Sequence, residues 1–205
     1  MVDFLIGVEH RGVENAKRVI DVLDKTGIKS RDFVAIEYTK EDIESVHSGE
    51  MERQIKNDIK GGRITVAAAE EVAYKLLLIR NLLSKGCTVI PLDTQSLLRA
   101  GAKEHYKLRK GTAENTAKTI SKAFQIQYPV REKRWLRVIK QTAPRFVLVG
   151  DSHVSLLRKK LNPVNTLSLV HAKRSARLVA NISASLARAA YNKKQRKRAN
   201  RKRRR

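Results

Sequence analysis

The chain has 205 residues, with 44 Lys and Arg against 20 Asp and Glu and a formal net charge of +24. That length suits one domain around a single core, and that charge favours a polyanionic partner, nucleic acid above all. A lone cysteine, Cys87, excludes an internal disulfide framework, and no apolar run reaches the length of a membrane-spanning helix. The opening MVDFLIGVEH, acidic at Asp3 and apolar only briefly, argues against a signal peptide. A soluble, cytoplasmic protein is the expectation.

In chain order, the apolar run from Phe4 to Ile6 predicts a first strand, ended by a turn at Gly7 that displays His10. Val13, Ala16, Val19, Ile20 and Leu23 recur at helical spacing, and Gly27 serves as the C-cap of that helix. Phe33 to Ile36 forms a second apolar run, suited to a strand buried on both faces of a parallel sheet, and Glu37 follows it. Lys40 to Lys60 predicts one polar helix with a weak apolar face, broken by Gly61 and Gly62. Ile64 to Leu83 is the most hydrophobic helix and is expected to lie against the sheet.

Cys87 to Ile90 supplies a third buried strand, from which Pro91 and Asp93 lead away. The stretch from Gln95 to Gln127 suggests helices around Leu97, Leu98 and Leu108. In REKRWLRVIKQ, Trp135, Val138 and Ile139 share one helical face while Arg131, Lys133, Arg134, Arg137 and Lys140 crowd the others. Phe146 to Val149 is a strand ending in a tight turn at Gly150. A helix to Leu161, a strand in TLSLV and a long helix from Ala172 to Tyr191 complete the pattern.

Strands that alternate with helices imply an α/β fold, a mostly parallel central sheet flanked by helices, with a disordered basic C-terminal tail. The expected organisation is a body over residues 1–171, an amphipathic basic helix over 172–191 docked on it, and a Lys/Arg-rich tail over 192–205. In parallel α/β sheets the carboxyl ends of the strands share one edge, where ligands bind. His10, Glu37, Asp93 and His153 all follow strand ends, so they are expected to converge.

Two imidazoles with one or two carboxylates are a usual ligand set for a divalent catalytic ion that keeps a position open for water. His10, Glu37 and His153 are the candidate ligands, for manganese, cobalt or zinc, with Glu37 open to either of two roles, ligand or general base. The competing reading is that each His caps its helix or bonds locally. Asp151 and Glu9, inside the two turns, are better explained by helix N-terminal preference than by metal. His47, His105 and His171 are expected at the surface, and Ser152 lacks the G-x-S-x-G surroundings of a serine nucleophile.

The order of these motifs resembles the TraB/PrgY/GumN family, which includes the TIKI metalloproteases and is related to the erythromycin-esterase and ChaN-like domains. The likeness is carried by Gly7 and His10, by Glu37 in VAIEYT, by Asp93 in CTVIPLDT, by Arg131 and Trp135 in REKRW, and by Gly150 and His153. It spans residue 4 to about residue 170. The resemblance implies a divalent-metal-dependent, peptidase-like hydrolase with His10, His153 and Glu37 at its centre. Arg131 would then hold substrate or a carboxylate with its planar fork of donors, and Asp93 would complete the catalytic set. Two positions depart from the family pattern: Thr94 stands where Arg commonly follows the Asp, and Glu132 where a small polar residue follows the Arg. The interval between Glu37 and Asp93 is also short.

From Ala172 onward there are 14 Lys and Arg and no Asp or Glu, which leaves 30 basic against 20 acidic residues in the body. The terminal NKKQRKRANRKRRR places ten cations at Lys193, Lys194, Arg196, Lys197, Arg198, Arg201, Lys202, Arg203, Arg204 and Arg205. Such a segment cannot bury a core, and an arginine-rich run of this kind is suited to RNA phosphates. With roughly six phosphate contacts its affinity would fall on the order of a thousandfold between about 50 and 200 mM salt. The expected protein is therefore a compact hydrolase tethered to RNA or another polyanion. The alternative is a non-catalytic RNA- or ribosome-associated binding protein on the same fold. Attachment to an anionic membrane surface is a weaker third reading.

Overall fold

The computed structural model describes residues 2–99 and 129–170. It is an α/β fold with a five-stranded, all-parallel sheet in the order β3-β2-β4-β1-β5. The elements in chain order are β1 (Phe4–Val8), α1 (Val13–Lys25), β2 (Phe33–Ile36), α2 (Lys40–His47), α3 (Glu50–Lys60), α4 (Val66–Ser84) and β3 (Thr88–Pro91). A helix α5 over 129–142, β4 (Phe146–Gly150), α6 (Asp151–Leu161) and β5 (Asn165–Ser168) follow. Of the helices expected from Gln95 to Gln127, residues 95–99 are helical; the rest of that stretch, the helix over 172–191 and the tail lie outside the described residues, as do His105 and His171.

Successive strand side chains point to opposite faces, and here both faces are covered. Phe4, Ile6, Val34, Ile36, Phe146 and Leu148 pack on one side against Ala16, Val19, Val22 and Leu23 of α1, Val46 of α2 and Tyr74, Leu78, Ile79 and Leu82 of α4. Leu5, Ala35, Val147 and Val149 pack on the other against Trp135 and Ile139 of α5 and Val154 and Leu157 of α6. Double coverage explains why β1 and β4 read as unbroken apolar runs rather than alternating ones. The core is thus two apolar slabs separated by the sheet.

Several local expectations need correction. Gly7 makes no turn, because β1 runs through it to Val8 and pairs Gly7 with Val149. What requires glycine there is space: a Cβ would lie 2.3 Å from Asp151 Oδ1 and 2.6 Å from Val154 Cγ2. Gly150 likewise has an ordinary negative φ of −53°, serving as the N-cap of α6 where β4 ends. The polar helix expected over Lys40 to Lys60 is two helices, parted at Gly49 with φ 75° and opened by a Thr39–Asp42 capping box. Val13, assigned to the buried stripe of α1, is 42% exposed. α4 begins at Val66 rather than Ile64, because the Thr65 hydroxyl caps it by accepting from the Ala68 N–H.

The strand order determines what meets at the carboxyl edge. β4 inserts between β2 and β1, so their three carboxyl ends stand side by side, with β3 next to β2. Glu37 leaves β2, His10 lies in the loop between β1 and α1, and His153 occupies the first turn of α6 after β4. Asp93 follows β3. Among the described residues, no helix is long and apolar enough to cross a membrane.

Candidate functional site

Glu37 is the hub. Its Oε2 accepts a 2.6 Å hydrogen bond from the Gly150 N–H and lies 3.3 Å from His10 Nε2. Its Oε1 accepts a 2.7 Å bond from Arg131 Nη2 and lies 3.8 Å from His153 Nε2. A Cβ at position 150 would come within 3.3 Å of Glu37 Oε2 and 3.4 Å of His10 Nε2. The bare Gly150 backbone is what admits a carboxylate and an imidazole together.

Each histidine has its outer nitrogen engaged. His153 Nδ1 is 2.8 Å from Glu132 Oε1, and the Trp135 ring meets the imidazole edge-on at 4.8 Å. A carboxylate accepts, so His153 Nδ1 presents its N–H to Glu132, which turns Nε2 toward Glu37. His10 Nδ1 is 3.1 Å from the Tyr38 hydroxyl, and the rings of Tyr38 and Tyr74 both stand edge-on to it at 5.6 Å. Burial pushes the Tyr38 phenol far up, reinforced by neighbouring Tyr74 and Glu37. Its hydroxyl therefore remains neutral and able to donate to or accept from His10.

Arg131 joins two carboxylates. Its Nε and Nη2 donate to Asp93 Oδ1 and Oδ2 at 3.2 and 2.6 Å, while Nη2 also reaches Glu37. Trp135 Nε1 donates to Asp93 Oδ1 at 2.9 Å, and the guanidinium lies over the Trp135 ring at 4.8 Å. Asp93 is only 2% exposed, so a buried carboxylate is filled on both oxygens, as burial demands. Asp93 thus acts through Arg131 as a positioning residue. Burial pulls the Arg131 pKa down, but the hydrogen bonds and charges of Asp93 and Glu37 prevail and raise it, holding the guanidinium charged.

Burial alone would push the Glu37 carboxyl up. The hydrogen bond and charge of His10, with the charges of Arg131 and His153, outweigh that and bring it down to about 2. A carboxylate so stabilised is a weak base at neutral pH. Glu37 therefore stays ionised at neutral pH.

The donor set can be tested for fit to a cation. Among the described residues, no group of three or more His, Cys, Asp or Glu side chains stands arranged to hold a metal ion. The two histidines instead meet different oxygens of one carboxylate, His10 Nε2 at 3.3 Å from Oε2 and His153 Nε2 at 3.8 Å from Oε1. Glu132 behind His153 is the carboxylate–histidine arrangement that fixes tautomer and ring direction in metal sites. An ion held by His10, Glu37 and His153 would have to replace these direct histidine–carboxylate contacts with coordination.

His10, Glu37, Asp93, Arg131 and His153, all singled out from sequence, are therefore in one place. His47 is exposed at the end of α2, away from them in the chain's local structure. The ten tail cations lie outside the described residues. Sequence reasoning missed Tyr38, Tyr74 and the role of Glu132. Glu132 carried a usable signal, being an acid within a basic helix three residues before Trp135 and thus on the same buried face.

No family model, curated protein or solved structure matches the chain. The resemblance to the TraB-type family therefore rests on the five motifs and their order.

Proposed function

We propose that the chain is a divalent-metal-dependent hydrolase, peptidase-like in its chemistry, that its basic tail tethers to RNA or another polyanion in the cytoplasm. The observation that carries this reading is the pair of histidine Nε2 atoms flanking one ionised, buried carboxylate, with the Nδ1 atoms taken up by Glu132 and Tyr38. His10, His153 and Glu37 would hold the ion, manganese, cobalt or zinc. A bound ion supplies hydroxide near neutral pH by lowering the pKa of coordinated water, and polarises the bond to be cleaved. His10 and Arg131 keep Glu37 ionised and aimed, Asp93 and Trp135 keep Arg131 in place, and Glu132 keeps His153 Nε2 directed inward. The single free cysteine, Cys87, is buried with its thiol pKa pushed up by burial, in keeping with a reducing compartment.

The test begins with protein purified in high salt with nuclease, then exposed to manganese, cobalt or zinc. Near-stoichiometric ion in wild type, its loss in His153→Ala, and ion-dependent cleavage within a panel of peptides and esters are expected. Folded protein that retains no ion in either form would sink the hydrolase reading. The alternative, a non-catalytic RNA- or ribosome-associated protein, is favoured by the excess of 30 basic over 20 acidic residues before Ala172. RNA crosslinks on the body together with an ion-free site would establish it instead.

A further inference from the structure

A cleft of about 390 Å³ opens beside the Arg131–Asp93 clamp, walled by Thr94, Ser96 and Leu97 on one side and by Val130, Lys133, Arg134 and Arg137 of α5 on the other. Thr94 immediately follows Asp93, and Val130 immediately precedes Arg131. Each wall is thus one residue removed from a residue of the site. The volume falls in the range of small-molecule pockets.

Among the described residues, no ion pair to Lys133, Arg134 or Arg137 is formed. Lys133 and Arg137 are four residues apart and Arg134 and Arg137 three, so like charges are neighbours on one helical face and repel. Among the described residues, the acids adjoining the cleft in sequence are already engaged, Glu132 by His153 and Asp93 by Arg131. Arg134 Nε is buried without a hydrogen-bond partner, an arrangement that costs stability unless something accepts from it. Across from these cations, the Thr94 and Ser96 hydroxyls lie 3.0 Å apart, and Val130 is 58% exposed.

We propose that the cleft binds the phosphate of a phosphorylated small-molecule substrate, with Lys133, Arg134 and Arg137 as its cationic contacts. A dianion matches three clustered cations and the one hydroxyl proton that the Thr94–Ser96 hydrogen bond leaves free better than a single carboxylate does, and Arg suits phosphate through paired parallel N–H donors. Leu97 and Val130 give the organic portion of the ester an apolar wall. The assignment of this ligand as the substrate rests on the hydrolase reading; the binding of phosphate does not.

The test is calorimetric titration of the full chain, tail intact, with inorganic phosphate and with adenosine monophosphate. Lys133→Gln/Arg137→Gln changes two exposed side chains and is compared with wild type; Arg134→Gln is added after its fold is checked by circular dichroism. Binding at one site per chain, weakened about tenfold or more in the double variant as two charge-assisted contacts are lost, is expected. Equal affinities in wild type and the double variant overturn the proposal. A loss confined to short single-stranded RNA, with adenosine monophosphate unaffected, also overturns it and makes the cleft part of a nucleic-acid track. Ion content measured on the same samples separates the two readings. Phosphate binding without ion uptake removes the hydrolase and leaves the cleft, whereas ion uptake with variant-insensitive phosphate does the reverse.

Discussion

The two histidines of the site follow the same G-x-x-H spacing but are supported from opposite layers of the fold. His10 rests on the layer of α1, α2 and α4, in an aromatic setting of Tyr38 and Tyr74, with its side chain 25% exposed. His153 belongs to the layer of α5 and α6, against Glu132 and Trp135, with its side chain 3% exposed. One support is a neutral hydroxyl and ring edges; the other is a carboxylate in a network of buried ions. Glu37, at the end of a central strand, is the group that both layers touch. The same motif therefore yields two differently constrained imidazoles, and the stiffer one is on the ionic side.

The ionic side is expected to break hardest. Arg131→Ala leaves Glu37 and Asp93, 11% and 2% exposed at their side chains, without a cation, and should cost about 3–5 kcal/mol in urea unfolding. Arg131→Lys restores charge but not the fork, and should recover only part of that loss. A small effect of Arg131→Ala would show that the two layers do not depend on it.

Acid acts on the hub itself. Because the Glu37 carboxyl lies at about 2 in the folded protein against an ordinary 4.5, the unfolded state binds its proton first. Its contribution, on the order of 3 kcal/mol, is fully present above pH 4.5 and is lost as pH falls from there toward 2. Unfolding free energies across that window should slope steeply for wild type and less steeply for Glu37→Gln. Parallel slopes would contradict the role given to this group.

Packing between β1 and α6 should come next. A methyl at Gly7 meets Asp151 and Val154, so Gly7→Ala is expected to lower stability by about 1–3 kcal/mol, read by thermal or urea unfolding. The smallest and most discriminating comparison sets Glu132→Gln beside Tyr38→Phe. Removal of the carboxylate behind His153 should weaken divalent-ion binding about 10–100-fold, whereas loss of one hydroxyl behind the more exposed His10 should weaken it less than about tenfold. Equal effects would erase the distinction between the two supports.

Much of this was legible in the sequence because of double burial. Phe4 to Ile6, Val34 to Ile36 and Phe146 to Val149 are apolar on consecutive residues and buried throughout, as strands covered on both faces require, and polar residues after them mark the carboxyl edge; Phe33, 44% exposed, extends its run without being buried. The meaning of Gly7 was not legible, since a glycine needed for space and one needed for a turn look alike; only the neighbour 2.3 Å from its absent Cβ decides. Tyr38 and Tyr74 gave no pattern either. They reach His10 from a strand end and a helix that the chain brings together only through the sheet order. The break at Gly49 was marked by Ser48-Gly49, a signal outweighed by the polar helical pattern on either side.

The most direct measurement is long-range ¹⁵N–¹H NMR of the histidine rings, with His10 and His153 assigned by alanine variants, before and after one equivalent of zinc. The account predicts that His153 carries its proton on Nδ1 in the ion-free protein. It also predicts that zinc moves the Nε2 resonances of both His10 and His153 while leaving the other three of the five histidines unchanged. An Nε2–H tautomer at His153, or zinc shifts confined to His47, His105 and His171, would contradict the joining of the two layers through one metal site at Glu37.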